Sequence, residues 1–187
     1  MQDKVSGSEY SRSGERSLDC GCSIRKVTFD VRDIGRFIGQ LRTLAEENLV
    51  QVVLFDADKM AGESHVVSAL FHAGRAIGRG ETISSSFEIE ALLYASASRQ
   101  CQEAVKFGVH EGRNRCYLCI CPENGNVWGA LSGLMTETCE DWEILDDEKK
   151  HRLMGLFGIT PAEIAVTGES LLQDLVLERV ALLEVNK

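Results

Sequence analysis

The chain has none of the compact signatures of a catalyst or of a membrane protein. No apolar run approaches the roughly 18 residues that cross a bilayer. The polar opening, MQDKVSGSEYSRSGERS, has no apolar core of a secretion signal. We therefore expect a soluble, cytoplasmic protein. There is no Gly-x-Ser-x-Gly elbow and no Gly-x-x-x-x-Gly-Lys-[Ser/Thr] loop, and Gly74, Gly78 and Gly80 follow no nucleotide fingerprint after a strand. These absences point away from an enzyme and from any cofactor. A net positive charge is missing as well. The chain carries −9, which argues against generic nucleic-acid binding driven by bulk charge. No internal repeat is visible.

What charge there is lies unevenly. Met1–Asp58 holds 8 basic and 10 acidic residues, a net of −2; Lys59–Arg115 holds 7 and 6, a net of +1; Cys116–Lys187 holds 5 and 13, a net of −8. An RNA contact, if there is one, belongs in the middle segment, where phosphate is repelled least. The seven cysteines are an odd number. Without a secretion signal, reduced thiols are expected. Cys116-x-x-Cys119-x-Cys121 lies in a predicted strand, with Cys119 and Cys121 on one face and Cys116 on the other. That pattern suits core residues. Zinc would need a further ligand from Cys20, Cys22 or Cys101, and a zinc- or thiol-based small protein stays open as the alternative.

At 187 residues the chain can bury a sizeable core in one domain. We expect a disordered tail over 1–18, rich in Ser, Gly and charge, and a single α+β domain over 19–187. Its strands are predicted at Cys22–Phe29, Leu49–Phe55, Glu88–Ala95 and Arg115–Cys121, forming a small mixed or antiparallel four-stranded sheet. A helix capped by Asp30 or Asp33 carries Ile34, Phe37, Ile38, Leu41, Leu44 and Ala45 at helical spacing. Further helices are expected at Glu63–Arg79, closed by Gly80, and at Ser98–Phe107. A helical C-terminal third follows: Val127–Glu137, Asp146–Phe157, a short helix opened by Thr160-Pro161, and Glu169–Val185.

The helix Glu63–Arg79 is amphipathic. Val66, Val67, Leu70, Phe71, Ala73, Gly74 and Ile77 take one broad side. His65, Ser68, His72, Arg75 and Arg79 form a polar stripe with no acid. Arg75 and Arg79 are four apart, so their guanidinium groups can share one patch and grip phosphates. Lys59, Arg99 and Arg113 could extend it. The plain alternative is a solvated face. His65 and His72 are two turns apart, roughly 10.5 Å, which is too far for one metal ion. After the predicted strand Glu88–Ala95, Ser96 or Ser98 can cap the next helix. Arg99 and Gln100 in its first turn could then receive a phosphate, or Arg99 could simply pair with Glu88 or Glu90.

Two neighbouring segments carry a resemblance. The first is DADKMAGESHVVSALFHAGRAIGRG (Asp56–Gly80), with Asp56, Ala61, Gly62, His65 and the His-Ala-x-Arg-Ala run His72–Ala76. The second is SSSFEIEALLYASASRQ (Ser84–Gln100), with Glu-x-Leu-Leu-Tyr-x-Ser followed by Arg99-Gln100. Together, over about Val50–Val109, they resemble the kinase-binding regulatory subunit of KEOPS, the complex that makes threonylcarbamoyladenosine on tRNA. The resemblance implies a compact αβ fold, a non-catalytic adaptor, and two direct partners. These are the small atypical kinase of the complex and the acceptor end of tRNA, with the other subunits reached indirectly. It raises the basic stripe to a tRNA-binding candidate: Lys59, His65, His72, Arg75, Arg79 and Arg99. It also implies that the last helix contributes to the kinase contact. There Leu172, Val176, Val180 and Leu183 form one apolar stripe and Leu171, Leu175 and Leu182 a second, about 100° away. Our kinase-binding candidates are Leu171, Leu172, Leu175, Val176, Arg179 and Leu182. A protein-interaction module with no RNA role is the remaining alternative.

Overall fold

The computed structural model describes residues 21–185; the expected tail, 1–18, lies outside them. Four strands form one antiparallel sheet: β1 (Ser23–Val31), β2 (Gln51–Asp56), β3 (Gly112–Cys121) and β4 (Thr136–Glu137), in the order β2-β3-β1-β4. Side chains alternate across the pleat and build a core on each face. Cys116, Leu118 and Ile120 of β3 point to one side, where Leu41 of α1 (Ile34–Glu47) and Val127, Trp128 and Leu131 of α5 (Gly125–Leu131) meet them. Tyr117, Cys119 and Cys121 point to the other, toward α2 (Glu63–Arg79), α3 (Phe87–Ala95), α6 (Asp147–Phe157) and α8 (Leu172–Val185). The expected α+β class is the one observed.

Local rules explain most boundaries. Asp33 accepts a hydrogen bond from the Arg36 amide at 2.9 Å and starts α1. Gly80, at φ 67°, ends α2 in the left-handed conformation. Thr160 and Glu163 form a reciprocal capping box that opens α7 (Pro161–Thr167).

Three expectations are corrected. Glu88–Ala95 is helical rather than extended. Ser86 caps the Ile89 amide, Glu, Ala and Leu favour the helix, and every residue from Glu90 to Ala95 is buried. A segment hidden on all sides shows no periodicity to read. The fourth strand is instead Thr136–Glu137, which pairs with Val27 and Thr28 and so cuts the expected helix Val127–Glu137 back to Leu131. The expected helix Ser98–Phe107 shrinks to α4 (Cys101–Ala104) and a 3-10 turn, Val105–Phe107. Arg99 and Gln100 therefore precede a single turn of helix and do not sit in its first turn.

The cysteines need a further correction. The strand register that sets Ser23 opposite Ile120 also brings Cys22 to Cys121, with Cα atoms 4.2 Å apart, and the two form a disulfide. Cys116 and Cys119 are outside that disulfide, buried and on opposite faces, as alternation required. The three cysteines of the cluster therefore cannot share one ion. Among the described residues no group of three or more His, Cys, Asp or Glu side chains is placed to hold a metal. No helix among them is long and apolar enough to cross a membrane.

The entry to α2 is unusual. Gly62 (φ 94°, ψ −179°) occupies the cap position without a side chain of its own. The Glu143 carboxylate caps the helix from across the fold, accepting the Glu63 amide at 3.0 and 3.2 Å and the Tyr117 hydroxyl at 3.2 Å. A Cβ at Gly62 would overlap Glu143 Oε2 and lie 2.9 Å from Gln173 Nε2. We expect Gly62→Ala to cost about 2 kcal/mol, because the conformation belongs to glycine and the added atom displaces the cap. Chemical denaturation of the two proteins measures this, and equal midpoints would refute it.

Candidate partner-facing surface on helices α2 and α8

Helices α2 and α8 run side by side in the same direction. Near their starts, Gln173 Nε2 donates to Ala61 O and to Ser64 Oγ, each at 2.6 Å. Near their ends, the Glu184 carboxylate accepts from Arg79 at 2.8 Å, meets His72 Nδ1 at 2.7 Å and lies 3.3 Å from Arg75. The pair forms a ledge on the helical face of the domain, with α3 packed beneath it.

The structure sorts the two stripes of α8. Leu172, Val176, Val180 and Leu183 are buried against the core. Leu171 and Leu182 are 42% and 40% exposed, and Leu175 is half-buried. Arg179 lies between, paired with Glu163 at 2.5 Å. Of the kinase-binding candidates, Leu172 and Val176 are thus closed to a docked partner, because both are fully packed. Leu171, Leu175, Arg179 and Leu182 can still reach one. Helix α2 adds Phe71, 52% exposed, with the Arg75 guanidinium 5.3 Å from its ring. The apolar arc of α2 is wider than the strip that packs, so Phe71 and Ile77 are left outside.

The basic stripe is only partly a surface. His65 is fully buried. Its Nδ1 lies 3.1 Å from the Ala61 amide and can only accept there, so the proton sits on Nε2, which donates to Ala95 O at 3.0 Å. Burial pushes its pKa down to about 4. This histidine ties the start of α2 to the end of α3 and cannot touch RNA in this fold. His72 is mostly covered and stacks on Tyr94 with ring centroids 5.3 Å apart. Arg75 and Arg79 do share one patch, as their spacing predicted, but they share it with Glu184. Burial alone would raise that carboxyl; the bond from His72 and the charges of Arg75, His72 and Arg79 hold it below its usual range. Lys59 sits in the turn before α2, bound to Asp56 at 2.5 Å and to Lys106 O at 2.6 Å. The body of α2, roughly 24 Å long, separates it from Arg79. Arg99 is exposed, and Arg113 pairs with Asp30 at 3.2 Å. The six tRNA candidates therefore do not converge on one patch; only Arg75 and Arg79 do, with His72 beneath.

Sequence reasoning missed Glu184 and Glu143. Each acts on α2 from about a hundred residues away, and no local pattern marks such a partner. Phe71 was visible only as surplus apolar width.

Comparison with known proteins agrees with this architecture. The model of the family described as Kinase binding protein CGI-121 matches residues 30–184. The chain is 30% identical over 136 residues to Regulatory protein Cgi121 of Methanocaldococcus jannaschii, covering 72% of this chain and 83% of that protein. The chain belongs to the CGI-121 family of kinase-binding proteins.

Proposed function

We propose that this protein is a non-catalytic, cytoplasmic accessory subunit of KEOPS that docks the small atypical kinase and recruits the acceptor end of tRNA for threonylcarbamoyladenosine formation. The observation that carries the kinase part is the ledge. Leu171 in the turn before α8, Leu182 on α8 and Phe71 on α2 leave large apolar side chains in water, and Leu175 is half-buried beside them. Monomers bury such surface when a partner is available. The rim of Arg75, Arg79 and Arg179 supplies the kind of cation that anchors interfaces. Co-purification of the full chain with the kinase, and loss of that complex when the outer leucines are charged, tests this reading.

The tRNA part rests on Arg75 and Arg79, which are 39% and 49% exposed and face outward from one carboxylate. A phosphate can replace Glu184 as their partner. Reversing both charges would set two carboxylates beside Glu184 and unsettle the α2–α8 contact, so neutral substitution is the cleaner test. Arg75→Gln with Arg79→Gln is expected to weaken tRNA binding and to lower the slope of log affinity against log salt by about two, one per phosphate contact. Filter binding across a salt series reads both. An unchanged slope in the folded double variant removes these residues from the RNA contact.

A further inference from the structure

The two edges of the sheet are treated differently. β4, at one edge, is only two residues long, a common way to blunt an edge. β2, at the other, reads Gln-Val-Val-Leu-Phe-Asp, with no charge before Asp56 and no proline. The ladder shows which of its backbone groups are free. The Ala57 amide donates to Arg115 O at 2.8 Å, so position 57 is a hydrogen-bonded pair with β3. Pairs alternate in an antiparallel ladder; Phe55, Val53 and Gln51 therefore also bond to β3, and Leu54 and Val52 point their N–H and C=O groups the other way. Among the described residues those outward groups have no hydrogen-bond partner. Gly108 runs beside the Leu54 carbonyl and closes one end, so the open stretch centres on Val52.

That open edge is the floor of a groove of about 920 Å³ between α1 and α3. Ile38, Ala45, Ile89 and Leu92 line its walls. Leu49 and Val105 stand at its rim, 89% and 47% exposed. Its polar side chains are unbalanced: Glu46 and Glu88 face a single cation, Arg42. Glu88 is half-buried and has no hydrogen-bond partner among the described residues. Burial raises its pKa, and the charge of Arg42 only partly offsets that. Unpaired backbone donors and acceptors, apolar walls and a half-buried carboxylate together describe a slot for an extended basic-apolar chain.

We propose that the β2 edge is a strand-addition site for an extended segment of a partner protein in which apolar residues alternate with at least one lysine or arginine. The incoming strand pairs with Val52. Its apolar side chains enter the groove, and its cation meets Glu88. This site is separate from the α2–α8 ledge and does not depend on the kinase or tRNA reading.

The test uses the full chain as bait for a displayed library of random peptides, followed by amide exchange with the selected peptides. Enriched sequences should alternate apolar residues with Lys or Arg, and they should slow exchange at Val52 and Leu54 while leaving Val53 and Phe55 unchanged. Val52→Pro removes an outward N–H and trims a side chain packed against the core, so it should lower the thermal midpoint somewhat and weaken binding of the folded variant by at least about tenfold. Glu88→Gln should weaken cationic peptides relative to neutral ones, which gives a second readout if the proline variant fails to fold. The proposal is overturned if no such sequences are enriched, or if the selected peptides leave Val52 and Leu54 exchange unchanged. It is overturned equally if the chain sediments as a dimer that Val52→Pro converts to monomer, because the edge is then occupied by a second copy.

Discussion

Leu182→Arg is expected to leave the chain folded and to weaken kinase binding by about a hundredfold or more, whereas Val176→Arg is expected to unfold it. The two residues lie six apart on α8, one 40% exposed and the other fully buried. An arginine at 182 reaches water through its own length and costs the free domain little. In a complex it places a charge in the centre of an apolar contact, and losses there commonly reach 2 kcal/mol and above. At 176 the same side chain would bury an unpaired charge among Leu172, Val180 and the sheet-facing core, at a cost of several kcal/mol. That is comparable to the whole stability of a domain, about 5–15 kcal/mol. Leu171→Arg should behave like Leu182→Arg, with a smaller loss if it lies toward the rim. Thermal unfolding reports the first half of this expectation and titration calorimetry with purified kinase the second. A folded Leu182→Arg that keeps full affinity would move the interface off this ledge.

The second large effect is a dependence of stability on pH that runs through one buried side chain. His65 titrates at about 4 in the folded protein, against 6.5 as an ordinary histidine. Protonation would add a donor at Nδ1, which already faces the Ala61 amide. Between those two values the unfolded chain binds a proton that the folded chain refuses. The stabilisation is therefore complete above pH 6.5. It falls by about 1.4 kcal/mol per pH unit on acidification and levels off below pH 4, a total of about 3 kcal/mol. Glu140, Glu163 and Glu184 have depressed pKa values and add their own losses near the bottom of that window. His65→Gln serves as the reference because it keeps those carboxylates and cannot titrate at position 65. The variant should be much less stable at pH 8 and should converge on the parent as the pH drops to 4.5. Parallel curves would show that His65 does not set the acid limit.

These residues also show how far the sequence could be read. The spacing of Ile34, Phe37, Leu41 and Leu44 located α1, because one face of that helix packs and the other is wet. The alternation around Cys116, Cys119 and Cys121 correctly put their side chains on different faces. It failed at α3 for a physical reason: the run Glu90–Ala95 is buried on every side and has no exposed face to set a period. His65 misled for a related reason. Its position on the helical wheel is real, but the polar stripe turns inward at its first residue, toward a carbonyl on another element. Pairing across the fold was out of reach altogether. Cys22 with Cys121, Glu143 with the start of α2, and Glu184 with His72, Arg75 and Arg79 all depend on which elements become neighbours, and strand order carries no local mark. The segment that bore the family resemblance, Ser84–Gln100, proves to be mainly core. It is organised around Glu90, whose carboxylate accepts the Ile83 and Ser84 amides at 2.9 and 2.8 Å.

The enclosure of α3 has a consequence for the living cell. Helices α2 and α3 are complete by residues 79 and 95, but the helix that covers them begins at Leu172. As the chain leaves the ribosome, both must wait with apolar faces open while some 80 further residues are made. The native ledge cannot exist during that interval, so any partner that docks on it can meet a finished surface only after translation has passed α8. A chaperone that shields emerging apolar helices would act on α2 and α3 first, and ribosome-stalled chains ending before α8 should be its best substrates.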